Sequence, residues 1–358
     1  LQQMPQLPTL LRPAATPVDW NQRRWELDPD ELDAFESFVC QMVPEQIPIM
    51  YLEGLPSLGD LTSSLRWAKK PKAIVTGNSF YYDDIFKVWC AEKVENGTPL
   101  ITLQHGGHFG LAESFNHDHQ IAISNQFVSW GWSDNTTATV VPIGKVTPPV
   151  VRRRIPQRGK GGGLLVTLSR PRHGYQIGSS LQSSQVLDYL DDQFKFIRTL
   201  PPSIQKVFTV RLHSVDYGWN YMLRWKDAIP NVTVDPGMQP IGDLMAENRI
   251  CISTYNATSY LESIAIDIPT VIFWRPNHWP IMESAIQIFE ELEEVGVFHR
   301  TPESAASHVS NVWDDVSAWW DSSPVVGTVG KFRDAYLMQP RDLVGQIRRC
   351  VTSVKPAR

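Results

Sequence analysis

The sequence has no run of about 18 uncharged apolar residues, the minimum for a membrane-spanning helix. Nor does it open on the basic and apolar regions of a secretory signal. It starts Leu1-Gln2-Gln3-Met4-Pro5, without an initiator methionine, so a piece of a longer polypeptide is expected. Cysteine is scarce, four in 358 residues, at positions 40, 90, 251 and 350. None forms a Cys-x-x-Cys pair or stands at zinc-ligand spacing from histidine. That pattern excludes a disulfide framework and reads as buried thiols in a reducing compartment. Basic charge is not in excess either: 33 Lys and Arg face 38 Asp and Glu, a net charge of −5. A chain that wraps nucleic acid carries the opposite balance. No Gly-x-Gly-x-x-Gly turn is present, so nicotinamide or flavin binding has no support. Four Asn-x-Ser/Thr triplets, at Asn96, Asn135, Asn231 and Asn256, have no secretory signal to make them glycosylation sites. A cytoplasmic protein is expected.

What is present is the composition of a globular chain, 42% apolar and 20% charged, at a length that suits two domains. A Pro-rich start leads to a helix over Asp28–Met42 with Leu32, Phe35, Phe38, Val39 and Met42 on one face. Short apolar strands then alternate with helices, the strands expected at 47–52, 73–76, 99–103, 121–123, 127–130 and 140–143. Residues 146–163 hold three prolines, three consecutive arginines and Gly-Lys-Gly-Gly-Gly. This reads as a linker, because the glycines lack the spacing of a phosphate-binding loop. A second series has strands at 164–168, 207–210, 232–234, 249–252 and 270–273. Its helices are expected at 183–200, 241–247 and 257–266, with amphipathic helices at 284–295, 302–320 and 329–336. Such alternation predicts an α/β protein of two doubly wound Rossmann-type domains facing a central cleft. The expected division is an N-terminal domain at 1–147, a linker at 148–163, a C-terminal domain at 164–330 and terminal helices at 331–358.

Each candidate cluster follows an expected strand, where a parallel sheet presents its functional loops. Glu53, before Gly54, is a candidate acid or base, or else a solvated loop residue. Asn78 and Asp84 follow the second strand, where an acid also suits ordinary helix capping. Gln104-His-Gly-Gly-His-Phe-Gly110 and Asn116-His-Asp-His119 together gather four of the nine histidines. Paired glycines let the backbone approach a ligand, and His105, His108 and His119 are of a type that binds anions or shuttles protons. Zinc between His117 and His119, around Asp118, is the competing reading, and its spacing is weak. Arg170, Arg172 and His173 follow one strand, and Arg211, His213 and Asp216 another, with cations suited to phosphate or carboxylate. Ser253, Thr254, Asn256 and Thr258 run into a helix that carries Glu262. Hydroxyls and free N–H groups at a helix start form an anion site, and Glu262, one turn in, is placed for ribose hydroxyls. Capping explains one such hydroxyl but not three plus a carboxylate. Of thirteen tryptophans, Trp130, Trp132, Trp219, Trp274 and Trp279 stand near strand ends, where stacking on sugars competes with core packing. No Asp-x-Asp follows a strand; Asp28-Pro-Asp30 precedes the first one.

In order, Tyr51-Leu-Glu-Gly54, Asp84-x-Phe-Lys-x-Trp89, Gln104-His-Gly-Gly-x-Phe-Gly110, Ile123-Ser124 before Trp130-Gly-Trp132, Arg211-Leu-His-x-x-Asp-Tyr-Gly-Trp219 and Ser253-Thr-Tyr-Asn-x-Thr258 through Ile268–Trp274 resemble a transferase family of bacterial O-antigen and surface-polysaccharide clusters. The resemblance runs over nearly the whole chain. It implies a GT-B glycosyltransferase related to the CMP-Kdo-dependent enzymes, cytoplasmic or peripheral at the inner membrane. The implied donor is a CMP-activated ulosonic acid such as Kdo, the acceptor an O-antigen or capsular glycan, with no cofactor and no metal. On this reading Ser253, Thr254 and Thr258 hold phosphate beside Asn256, Glu262 holds ribose, and Arg170, Arg211 and His213 hold phosphate or the sugar carboxylate. Asn78, His108 and His119 face the acceptor. Glu53, His105, Asp118 and Asp84 form the catalytic set; if configuration is retained through two displacements, Asp118 is the favoured nucleophile and Glu53 the acid or base. The family carries an Asp where Asn125 stands, which leaves Asp118 to supply the acid of that stretch. Two alternatives stay open: another nucleotide-dependent enzyme of this architecture (a polyol-phosphate transferase, UDP-sugar enzyme or epimerase), and a non-catalytic glycan-binding module.

Overall fold

A computed structural model describes residues 16–27, 32–113, 119–133, 139–146, 159–173 and 181–354. The chain divides into two compact units, one running to Thr102 and resuming at Cys350, the other Leu103–Arg349. Residues 148–158 of the expected linker and the Asp118 segment lie outside the described residues, as does the start of the first expected helix.

In the smaller unit, helix α1 (Ala34–Gln46) starts at a capping box. The Asp33 carboxylate accepts from the Phe35 and Glu36 N–H groups, and Glu36 accepts from the Asp33 N–H. Its Phe35, Phe38 and Val39 are exposed rather than packed. No strand forms at 47–52. Pro48 has no N–H to give a ladder, and Ile49–Tyr51 form a 3₁₀ turn closed by the Gly54 N–H on the Ile49 carbonyl. Helix α2 (Leu55–Ser64), strand β1 (Ile74–Thr76), a helical turn α3 (Ser79–Tyr82), helix α4 (Asp84–Glu95) and strand β2 (Leu100–Leu103) follow. β1 and β2 pair in parallel, Ile74–Thr76 opposite Leu100–Thr102. Asp83 caps α4 by accepting from the Phe86 N–H. Trp67 and Trp89 meet edge to face, centroids 5.5 Å apart, where α2 and α4 pack.

The larger unit begins with a helical turn α5 (His119–Ala122) in place of the strand expected at 121–123. The Ile123 N–H bonds the His119 carbonyl and the Ser124 hydroxyl bonds the Gln120 carbonyl, which closes the turn. Strands β3 (Gln126–Ser129) and β4 (Val140–Pro142) pair in parallel. Next come β5 (Gly163–Val166), α6 (Val186–Thr199), α7 (Pro202–Gln205), β6 (Phe208–Arg211), α8 (Tyr221–Ala228), β7 (Thr233–Asp235), α9 (Ile241–Glu247), β8 (Ile250–Ser253), α10 (Thr258–Ala265) and β9 (Thr270–Phe273). The chain continues through α11 (Glu283–Glu294), β10 (Phe298–His299), α12 (Pro302–Val312), α13 (Val316–Trp320), α14 (Ser323–Tyr336) and α15 (Leu343–Ser353). The single helix expected at 302–320 is broken, because Asp315 caps afresh by accepting from the Ala318 N–H. Among the described residues no helix is long and apolar enough to cross a membrane.

Six parallel strands lie in the order β10-β9-β8-β5-β6-β7. β5, β8 and β9 are buried along their whole length, which is why they read as unbroken apolar runs rather than alternating ones. Helix α6 covers the sheet with Val186, Tyr189, Leu190, Phe194 and Ile197, three and four residues apart. The Gly-Lys-Gly-Gly-Gly run serves packing: a Cβ on Gly162 would stand 1.7 Å from the Val207 carbonyl oxygen. From β5 the chain builds outward through β6 and β7, then returns to lay β8 against the other side of β5. The strand order therefore reverses at β5, and the loops after β5 and β8 border the crevice where such sheets bind ligands.

Candidate functional site

The loop after β2 is rooted by Gln104, which is 2% exposed. Its Oε1 accepts from the Trp130 backbone N–H and from the Trp132 indole, both at 2.8 Å. Its Nε2 donates to the Gly106 carbonyl at 2.8 Å, and its own carbonyl accepts from the Trp130 indole at 3.0 Å. One side chain thus fixes the turn that carries His105, Gly106 and Gly107 to the segment after β3. Trp130, Trp219, Trp274 and Trp279 are buried, so the tryptophans at strand ends are core residues and supports.

From this root the loop runs onto the start of α10. The Gly107 N–H donates to Thr258 Oγ1 at 3.0 Å. A Cβ on Gly107 would lie 2.4 Å from Leu261 Cδ1 and 2.9 Å from Thr258 Cα, so only glycine allows this approach. α10 begins at Thr258, and its N-cap residue, Ala257, gives it no side-chain cap. The hydroxyls read as capping or phosphate-binding groups are engaged elsewhere. Ser253, wholly buried, bonds the Ser259 hydroxyl at 2.9 Å, and Thr254 donates to the Val166 carbonyl at 3.0 Å and meets the Tyr189 hydroxyl at 2.6 Å. Asn256 is buried as well, accepting from the Tyr260 hydroxyl at 3.0 Å. Thr254 thus ties the end of β8 to β5, while Ser253 and Asn256 tie it to α10. What α10 offers an anion is its first-turn N–H groups and Thr258.

Charge around this point is cationic. His105 and His108 lie with ring centroids 6.3 Å apart. Burial, then the His105 ring and the Arg170 guanidinium, push His108 down to about 3, so it is neutral near neutral pH. The Arg170 backbone is fixed by the Trp219 indole, which donates to its carbonyl at 2.8 Å. Glu262, one turn into α10, is half-buried. Burial raises its pKa, and Lys145 opposes the rise. Sequence reading passed over Lys145, a single cation after a short strand with no motif around it.

Arg211 ends β6 and His213 follows two residues later. The Arg211 guanidinium donates to the Leu212 and Gln239 carbonyls and stands 3.8 Å from Asp235, so it braces β6 against the segment after β7. His213 is exposed, its Nδ1 accepting from the Val215 N–H at 3.0 Å. Asp216 is a cap, accepting from the Asn220 and Tyr221 N–H groups at the start of α8, both at 2.8 Å. His119 is exposed on α5. His117 and Asp118 are outside the described residues, and among the described residues no three His, Cys, Asp or Glu side chains gather as a metal site.

The smaller unit carries Glu53, Asn78 and Asp84. Glu53 is 8% exposed and takes both nitrogens of a fork from Arg23, Nε to Oε1 at 2.6 Å and Nη2 to Oε2 at 2.7 Å. The Arg23 hydrogen bonds, against the cost of burial, hold its carboxyl at about 2. A carboxylate paired in this way is held in its ionised form near neutral pH. It anchors the N-terminal segment through Arg23 and the Asp19 N–H. Asp84 accepts from the Tyr51 hydroxyl at 2.5 Å and from Lys87 Nζ at 2.9 Å. Partial burial raises its pKa and these bonds more than reverse the rise. Asn78 is exposed at the start of α3.

Among solved structures, the pneumococcal O-GlcNAc transferase GtfA, in complex with UDP and GlcNAc, is similar with a TM-score of 0.51 at 11% identity, over 83% of this chain and 60% of that one. The chain thus spans three-fifths of the GtfA chain. The spinosyn forosaminyltransferase SpnP matches at 12% identity over 90% of this chain and 85% of its own, with a TM-score of 0.47. Among proteins of curated function, none matches the sequence. The likeness to GtfA shows the fold: α/β of the GT-B type, built of parallel sheets with helices, as the sequence predicts. The family rests on sequence, since residues 1–349 match the LIC12162 family of transferases, and the chain belongs to that family.

Proposed function

We propose that the chain is a GT-B glycosyltransferase that moves a sugar from a nucleotide-activated donor to a glycan. The observation that carries the reading is the docking of the His105-Gly-Gly-His108 loop onto the uncapped start of α10, at the point where the strand order reverses. The donor phosphate would sit on the first-turn N–H groups and Thr258, with the Arg170 guanidinium nearby. Glu262 would take the ribose hydroxyls. As the bond to the sugar breaks, negative charge grows on the departing phosphate, and fixed N–H dipoles with a guanidinium stabilise it without reorganising. Membership of a transferase family supports group transfer. A relative of the same fold in complex with UDP and GlcNAc supports a nucleotide-sugar donor.

More finely, we assign the donor as a CMP-linked ulosonic acid of the Kdo type and the acceptor as a bacterial surface glycan, on the motifs from Tyr51 to Trp274. A nucleoside monophosphate is a leaving group that such donors can stabilise alone, so the transfer is metal-independent. Calorimetric titration with CMP, UDP, GDP and free sugars tests the reading. Binding of CMP alone supports the ulosonic donor. Binding of UDP or GDP instead replaces that donor and keeps the transferase, and binding of sugars without any nucleotide refutes the transferase.

A further inference from the structure

Lys145 follows β4 directly after Ile143-Gly144, and its backbone N–H is held by the Met338 carbonyl at 2.8 Å. The residue is 7% exposed. Its Nζ lies 5.5 Å from the centroid of the Trp130 ring, and among the described residues no hydrogen bond or ion pair reaches it. Glu262 is close enough to act on its charge, but burial still lowers the Lys145 pKa overall. An ammonium largely withdrawn from water without a carboxylate in contact is costly, and a ring face offsets only part of that cost.

The position of this cation follows from contacts already described. Trp130, its pedestal, is clamped by Gln104. Gln104 roots the loop whose Gly107 bonds Thr258. Thr258 opens α10, and Glu262 on that helix is the acid that faces Lys145. Every link from Lys145 through Trp130 and Gln104 to Thr258 is a contact, and the last, from Glu262 back to Lys145, is electrostatic, so the ammonium lies beside the loop that docks on α10. We propose that Lys145 is a binding residue of the anion site at the start of α10 and supplies a half-sheltered positive charge that holds an oxyanion of the donor, its phosphate or the carboxylate of its sugar. The inference rests on the donor reading above and adds to it a residue from the segment after β4.

The test compares wild type with Lys145→Met and Lys145→Arg in two measurements, thermal unfolding without ligand and calorimetric titration. The probes are CMP, UDP, cytidine, uridine and free 3-deoxy-octulosonic acid. Lys145→Met is expected to unfold at the same temperature as wild type or higher, since it removes an uncompensated charge. It should bind one class of anion at least tenfold more weakly, with Lys145→Arg recovering part of the loss. Loss for CMP or UDP with cytidine and uridine unchanged assigns the phosphate, and loss for the sugar acid alone assigns the carboxylate. Two results overturn the proposal: unchanged affinity for every probe that wild type binds, or a ligand-free unfolding temperature lowered by Lys145→Met, the mark of a cation that only serves Glu262. Wild type that binds none of the probes overturns the donor reading, and this inference falls with it.

Discussion

Replacing Gly107 by alanine tests the site's construction at one atom. The added Cβ would meet Leu261 Cδ1 at 2.4 Å, Thr258 Cα at 2.9 Å and the Ala257 carbonyl carbon at 3.1 Å. The leucine methyl can rotate away, whereas the two backbone atoms can yield only if the loop lifts off α10. Overpacking of this kind costs ~1–3 kcal/mol. Lifting the loop also stretches the 3.0 Å bond from the Gly107 N–H to Thr258 Oγ1, worth ~1 kcal/mol. A destabilisation of about 2 kcal/mol would lower the unfolding temperature by roughly 4–8 °C in a unit of this size. Nucleotide affinity should fall with it, because the displaced loop no longer frames the first turn of the helix. Leu261→Ala supplies the control. It removes the nearest clashing atom and leaves the backbone ones, so its cost should be smaller in the Gly107→Ala background by ~0.5–3 kcal/mol, a coupling readable from a double-mutant cycle. Urea unfolding and calorimetry give both quantities. Unchanged unfolding and affinity in Gly107→Ala, or strict additivity with Leu261→Ala, would refute the docked geometry.

Glu262→Ala is expected to weaken nucleotide binding by ~1–3 kcal/mol, the worth of a charge-assisted hydrogen bond; unchanged calorimetric affinity in a folded variant would sink the ribose role. Turnover should survive EDTA, and full loss restored by magnesium or manganese would contradict metal-independent transfer. Stability should fall on acidification between about pH 6.5 and 4. Burial keeps His299 and His308 below the usual imidazole value, His308 at about 4, so the unfolded chain binds their protons first as pH drops. Thermal unfolding across that range should show the slope, and His308→Gln should flatten it. A further loss is expected below about pH 4.5 as Glu53, held at about 2, is protonated more readily in the unfolded chain than in the folded one.

Much of the fold was legible because buried parallel strands leave unbroken apolar runs. β8 and β9 were expected within one residue of where Ile250–Ser253 and Thr270–Phe273 stand. Short elements were not legible in the same way. Three or four residues carry too little periodicity to separate strand from turn, so Ile49–Tyr51 and His119–Ala122 coil where strands were expected, each decided by one or two local hydrogen bonds. Helix α8 went unread because its start depends on Asp216 bonding two N–H groups four and five residues on, across Tyr217 and Asn220 at positive φ. At the site, Gly107 and Thr258 were singled out separately, 151 positions apart, and nothing in either stretch names the other. Gln104 and Arg23 were missed as supports for the same reason. Their partners lie 26 to 30 residues away in the chain, and a single polar residue bears no pattern of its own.

The charges divide the named acids into two kinds. Glu53 and Asp84 each lie against a cation that lowers the pKa, so both are carboxylates whose charge is already spent on a guanidinium or an ammonium. Glu262 is the reverse, raised by burial and relieved only by the field of Lys145. A group of the first kind holds structure together and gains little from a ligand. A group of the second kind gains hydrogen bonds when hydroxyls replace the water at its carboxylate, because burial leaves that charge under-solvated. His108 sorts the same way. Kept neutral beside Arg170, it can orient a hydrogen bond without adding charge, so the positive field at the loop comes from the guanidinium rather than from this imidazole. Strength of pairing, more than position after a strand, is therefore what separates Glu262, a half-buried carboxylate on α10 with no ion pair among the described residues, from Glu53, held in a fork by Arg23.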